Sequence, residues 1–341
     1  MKTSWTADEI MATTFPEPRF AVPGIVAEGL NLLVGAPKLG KSWLTLNLGT
    51  AVATGGRALG KVPVDGGEVL YLALEDGPRR LKSRLTMALG NDPAPPELHF
   101  ETQWQPLADG GAEDLSTWLG MHTGTRLVVL DVIARLRSPL KDRSDRYMAD
   151  YMVAESIKRV ADQHKVAVVA VHHTRKAATD DYLESVSGTN GLAGAADSII
   201  VLKRSRGQAD ATLHVTGRDV EEQELALRFE SDIGTWSLLG EAAEWRMSET
   251  RRQILEAVRE ADKPLRPKQI AEDADADYGV VKHLVRKMVD DNQLETDGKG
   301  SYSYIEPVHP VHRVHHSLLD LDVHHSPPNG EQSEWSEGGT G

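Results

Sequence analysis

The chain has 341 residues, 40% hydrophobic and 26% charged, with 38 basic against 51 acidic side chains and a formal net charge of −13. That length suits two domains, or one large domain with appendages, and the composition excludes wholesale disorder, collagen and a continuous coiled coil. Cysteine is absent, which removes disulfides, thiol nucleophiles and thiolate metal sites, and so acidic a chain can hold nucleic acid only through local basic segments.

The first ten residues, MKTSWTADEI, lack the basic-then-apolar order of a secretory signal. No apolar run approaches the roughly 20 residues that span a bilayer, so the expectation is a cytoplasmic protein with no membrane partner. Residues 1–29 read as an arm in which Phe15, Pro16, Pro18 and Phe20 offer packing or base-stacking surface. A core over residues 30–245 follows. Short apolar runs at Leu30–Val34, Glu68–Leu74, Arg126–Asp131, Val166–His172 and Ser198–Leu202 alternate with helical patterns at Ser42–Thr54, Pro78–Leu89 and Met148–His164. Continuous apolar runs separated by helices indicate parallel strands covered on both faces, hence an α/β fold with a mostly parallel sheet. Thr212–Thr216 and Glu224–Phe229 alternate apolar and polar residues, the mark of antiparallel strands at one edge.

Over residues 246–306 the period changes. Ile254, Leu255 and Val258, then Ile270 and Ala271, then Val280, Val281, Leu284, Val285 and Met288 mark three helices, and Leu294–Ile305 reads as two short strands around a Gly-containing turn. Three helices and a hairpin make a small winged-helix domain. Its third helix, the one that enters a DNA groove in such domains, carries Lys282, Arg286 and Lys287. With 10 basic and 13 acidic residues between Ser248 and Glu306, a protein-contact role is nearly as well supported as duplex reading. Residues 307–341 lose all periodicity and read as a disordered tail. Six of the 13 histidines lie there, where metal binding is the weaker alternative to a flexible polar segment.

The strongest motif is Gly35-Ala36-Pro37-Lys38-Leu39-Gly40-Lys41-Ser42, which satisfies G-x-x-x-x-G-K-[ST] between a strand and a helix. Backbone N–H groups from Gly35 to Trp43, all but that of Pro37, which has none, would cradle phosphate oxygens at the helix N-terminus. Lys41 would reach the β- and γ-phosphates, and the Ser42 hydroxyl would ligate Mg²⁺. Leu127-Val128-Val129-Leu130-Asp131 ends a buried strand on a carboxylate, placed to hold the same Mg²⁺ through water. Glu75 and Asp76 end another strand; Glu75 is the better candidate for general base and Asp76 for a support or helix cap. His172 and His173 end a third, where one of the two faces the ligand edge. Two segments carry local positive charge: residues 135–146, with Arg137, Lys141 and Arg143, and the Gly/Ser/Thr-rich residues 175–193, with Arg175 and Lys176.

Together GAPKLGKS, YLALED, LVVLD, VVAVHHTRK, SGTNGLAGAADSIIVLKR and VTGRD resemble the RecA-like hexameric ATPases. Within these the chain looks most like the RepA-type replicative helicases of plasmids and phages, relatives of DnaB. The resemblance runs from Phe20 to Leu239. It implies ATP sites shared between subunits of a homo-oligomer, a hexamer in relatives. It makes Glu75 the catalytic glutamate, His173 the γ-phosphate sensor and Arg218, in VTGRD, the arginine finger acting across the interface. It places the two basic segments on single-stranded DNA in the central channel. The resemblance does not extend to the winged helix, which suits a protein that loads at or recognises duplex DNA. The expected function is therefore an ATP-hydrolysing motor on single-stranded DNA; the alternative is an ATP-switched DNA-binding, recombination or replication-initiation protein that does not unwind. A P-loop phosphotransferase is the remote third reading.

Overall fold

The computed structural model describes residues 4–138, 146–173, 190–204 and 210–305. The chain divides into two compact units between Ile254 and Leu255. The expected tail, and Lys141, Arg143, Arg175 and Lys176, lie outside the described residues.

The first unit opens with helix α1 (Ala7–Ala12), closed by a capping box between Thr6 and Glu9. Two short strands, β1 (Phe20–Val22) and β2 (Val26–Ala27), lead into β3 (Gly29–Gly35) and then helix α2 (Lys41–Thr54). After the small hairpin β4 (Arg57–Ala58) and β5 (Val62–Pro63) come β6 (Glu68–Ala73), α3 (Pro78–Leu89), β7 (Leu98–Glu101), α4 (Gly111–Met121) and β8 (Thr125–Asp131). Helix α5 (Arg146–His164), β9 (Ala167–His173), α6 (Asn190–Ala195) and β10 (Ser198–Arg204) complete the parallel part; β11 (Asp210–Gly217), β12 (Gln223–Glu230) and β13 (Thr235–Glu241) form the antiparallel extension. The nine strands run in the order β13-β12-β11-β10-β3-β9-β8-β6-β7.

Alternate residues of each central strand feed two separate cores, as the pleat requires. In β8, Leu127 and Val129 join Leu44, Leu46 and Val52 of α2 on one face. Val128 and Leu130 join Leu115 of α4 and Ile157 of α5 on the other. Coverage on both faces explains why these strands read as unbroken apolar runs. Asn31 of β3, in the middle of this core, is polar and fully buried. Its amide donates to the carbonyls of Ala27 (2.7 Å), Gly29 (3.1 Å) and Val168 (3.4 Å) and accepts from the Ala27 N–H (3.2 Å) and the Ser198 hydroxyl (2.6 Å).

Three elements depart from expectation. β7 and β13 are strands that four-residue length and a Trp-Ser-Leu-Leu pattern concealed. The end of the Gly/Ser/Thr-rich basic segment is helical: α6 spans Asn190–Ala195 and buries Leu192 completely. In the sheet, β9 pairs with both β3 and the Asp131-bearing β8 and lies between them.

The division between units falls within helix α7 (Ala242–Glu260). The second unit continues with α8 (Pro267–Asp273), α9 (Tyr278–Asp290), β14 (Leu294–Thr296) and β15 (Tyr302–Tyr304). Asp277 caps α9 by accepting from the Val280 N–H at 3.0 Å. Val281, Leu284, Val285 and Met288 of α9 pack inward with Ile270 of α8, the i, i+3, i+4, i+7 spacing of an amphipathic helix. Tyr302 exchanges backbone hydrogen bonds with Leu265 at 2.9 and 3.0 Å, tying the hairpin to the segment before α8.

Candidate functional site

Strand register collects the site. Gly35 of β3 pairs with His173 of β9, and Asp131 of β8 pairs with Ala73 of β6. The C-terminal ends of four parallel strands therefore deliver the loop Gly35–Ser42, His173, Asp131 and Glu75 to one edge, where open α/β sheets bind ligands.

The loop itself is shaped by glycine. Gly40 has φ 97°, the left-handed region, and caps α2 without a side-chain hydrogen bond. A Cβ there would also press on the Trp236 ring at 3.0 Å, and the indole N–H donates to the Gly40 carbonyl at 3.1 Å. A Cβ on Gly35 would lie 2.7 Å from the Leu202 carbonyl. Trp43 continues into α2 with its ring turned towards Phe229, 6.2 Å away, so its backbone rather than its side chain belongs to the cradle. Lys38 adopts φ 65° at the loop tip.

Lys41 is buried, and its ammonium donates to the carbonyls of Gly35 (2.7 Å) and Ala36 (2.9 Å). Burial pulls its pKa down to about 8, against the opposing pull of Asp131 and Glu75. Asp131 is likewise buried, and desolvation raises its pKa while hydrogen bonds from Ser42 and Tyr71 hold it down. The Tyr71 hydroxyl donates to Asp131 at 2.9 Å and lies 2.8 Å from the Thr45 hydroxyl; burial lifts the phenol well above its ordinary range. Glu75 is half-exposed, 3.7 Å from His173 Nε2 and 3.8 Å from Arg135 Nε. Burial and then Lys41 hold His173 below the usual histidine pKa, against the opposing pull of Glu75 and Asp131. Asp76 pairs with Arg80 and Arg84, while Gly77 is the N-cap of α3; Asp76 is a support and not a cap.

One residue, Arg137, is engaged otherwise than expected, and Arg218 is placed where only another subunit's site is within its reach. Arg137, expected on DNA, is turned onto Asp150 at 2.8 Å, with 18% of its side chain exposed; the nearly buried Asp150 demands a counter-charge. Arg218 follows β11, whose Gly217 pairs with Ser198 at the start of β10. It therefore lies at the edge opposite the phosphate loop, 3.8 Å from Asp197, and cannot join its own chain's site. Tyr71, Thr45 and Trp236 were not singled out by the sequence. The signal for Tyr71 was there: a tyrosine in an otherwise aliphatic buried strand needs a partner for its hydroxyl.

A glycine-shaped loop closing a central strand, a buried lysine behind it and a strand-end aspartate joined to the loop serine define a P-loop nucleotide-binding protein with a RecA-like core. The chain belongs to the AAA domain family, whose sequence model matches residues 1–179. Among solved structures, the ATPase domain of G40P is similar, with a TM-score of 0.51 and 16% identity over 62% of this chain and 85% of that one. A DnaB-like replicative helicase, described with its primase interactions, gives a TM-score of 0.50 and 16% identity over 62% of this chain and 57% of that one. No curated protein matches the chain. Among the described residues, no helix is long and apolar enough to cross a membrane.

Proposed function

We propose that the chain is an ATP-hydrolysing motor that acts on single-stranded DNA as a ring of like subunits, a replicative helicase or helicase-like replication ATPase. The observation that carries this is the convergence of Lys41, Asp131, Glu75 and His173 on one sheet edge. Lys41 feels both carboxylates and His173 feels Lys41, Glu75 and Asp131.

The donor set fits a hard dication and a polyphosphate. Ser42 and Asp131 offer neighbouring oxygen ligands, of the kind Mg²⁺ takes, and the uncapped start of α2 presents N–H groups to anions. When bound, Mg²⁺ supplies charge neutralisation for the phosphates. Lys41 swings from the loop carbonyls to phosphate oxygens. Glu75 orients the attacking water and accepts its proton. His173 hydrogen-bonds at the γ-phosphate, so its loss is felt in the segment that follows β9. Arg218 of the partner subunit neutralises charge developing across the shared interface, a role its distance from its own loop leaves open only in trans.

The exposed face of α9, with Lys282, Arg286 and Lys287, favours a second reading in which the second unit binds duplex DNA and the ATPase acts as a switch. One assay separates the two: ATP turnover with and without single-stranded DNA, then strand displacement on a forked duplex. DNA-stimulated turnover with displacement supports the motor. Stimulation without displacement supports the switch. Turnover indifferent to DNA refutes both.

A further inference from the structure

At the sheet edge opposite the phosphate loop, three metal-ligating side chains from separate segments meet. Glu68 opens β6, His99 lies in β7 and His122 closes α4. One ligand atom from each lies within 4.8 Å of the other two. Register puts them on one face. His99 pairs with Leu70, and Glu68 is two residues before Leu70, so both side chains point to the side that α4 covers.

The details suit a metal site built around the His122–Glu68 pair. His122 Nδ1 and Glu68 Oε1 are 3.3 Å apart. Two ligands on a tetrahedral Zn²⁺ at about 2.0–2.1 Å stand about 3.3 Å from each other, so this edge already has the required length. The second imidazole is surplus to that pair: neither nitrogen of His99 has a hydrogen-bond partner among the described residues, and its ring lies 5.2 Å from that of His122. Trp118 fixes both ring planes, stacked on His122 at 3.9 Å and 9° and edge-on to His99 at 5.6 Å. The Thr125 hydroxyl donates to the His122 carbonyl at 2.7 Å and holds the turn. Glu68 and His122 side chains are 31% and 29% exposed, enough for an ion to enter. Outer contacts that fix ligand orientation are what metal sites require beyond the ligands themselves.

We infer that Glu68, His99 and His122 bind a divalent transition-metal ion, Zn²⁺ foremost, with a fourth position open to water or a partner's donor. Two imidazoles and a carboxylate form a recognised zinc donor set. The ion ties the edge strand β7 to β6 and to the turn between α4 and β8, remote from the nucleotide edge and independent of hydrolysis.

The test uses the full chain, stripped with a chelator and titrated with Zn²⁺ and Co²⁺. The six histidines between 309 and 325 can also take up metal, so the readout is a difference. Wild type should retain one more tightly held equivalent than H99A/H122A after gel filtration. It should show visible Co²⁺ bands that the variant lacks, and Zn²⁺ should raise only the wild-type thermal midpoint. Glu68→Gln keeps the shape and hydrogen bonding and should weaken binding about tenfold or more. Equal stoichiometry and equal midpoint shifts in wild type and H99A/H122A would overturn the site. Should the double variant fail to fold, wild-type affinity in Glu68→Gln would overturn it equally.

Discussion

Replacing Tyr71 with Phe removes one hydroxyl and nothing else. The ring is 2% exposed and rests 5.4 Å from Phe100, so the packing survives and no cavity opens. Thr45 keeps the carbonyls of Lys41 and Ser42 at 3.2 and 3.3 Å. The loss falls on Asp131, which forfeits a 2.9 Å donor while buried. Hydrogen bonds to charged groups contribute about 1.5–3 kcal/mol. Burial already raises the Asp131 pKa, and Tyr71 is one of the groups opposing that rise, so its removal raises the pKa further. At about 1.4 kcal/mol per unit, the displacement is about one to two pH units. If Asp131 must be ionised to hold Mg²⁺, the acid limb of kcat/KM moves to higher pH by that amount, and half-saturating Mg²⁺ rises at pH 7. Steady-state ATP turnover from pH 5 to 8 at several Mg²⁺ concentrations measures both, with the thermal midpoint as a control for folding. An unmoved acid limb and unchanged Mg²⁺ dependence would refute the argument, even if the midpoint fell.

Glu75→Gln should leave nucleotide binding intact and cut turnover by about 10²-fold or more, so loss of binding in an equilibrium titration would argue against its role as base. Lys41 has a pKa of about 8 without phosphate nearby, and bound phosphate raises it. As far as Lys41 governs it, affinity for ATP should then be flat below pH 8 and fall as pH rises through that value, with proton uptake on binding rising from near zero below pH 8 towards one above it; calorimetry in buffers of different ionisation enthalpy checks this. Arg218→Ala should spare nucleotide binding and abolish the turnover gained on assembly, whereas full activity in a confirmed monomer removes the shared site altogether. Arg286→Ala with Lys287→Ala should weaken duplex binding and flatten its salt dependence, and unchanged affinity eliminates α9 as the DNA reader.

The nucleotide edge was legible because its chemistry is local. The loop needs glycine where φ is positive, as at Gly40, and a buried strand ends in Asp131 only for a reason. What the local pattern could not give was order across the sheet. That β9 stands between β3 and β8 is decided by long-range pairing, to which period-2 alternation is blind. Tyr71 was hidden for a related reason: in a strand its hydrophobic ring satisfies the pattern, and its hydroxyl finds Asp131 only through tertiary structure. Arg137 misled because charge in sequence says nothing about a buried acid such as Asp150 waiting nearby. β7 and β13 were lost to brevity and to mixed polarity.

The amide of Asn31 gives the central strand an index mark. A run of aliphatic side chains packed on both faces tolerates displacement by two residues, since each face still meets grease. An amide bonded at once to Ala27, Val168 and Ser198 does not. A two-residue slip would carry the phosphate grip about 6–7 Å from Asp131 and Glu75, so a side chain at the far end of β3 sets the alignment on which hydrolysis depends. Asn31→Leu would strip partners from the buried Ser198 hydroxyl and the Ala27 backbone, so the thermal midpoint should fall and turnover should fall with it as the alignment blurs.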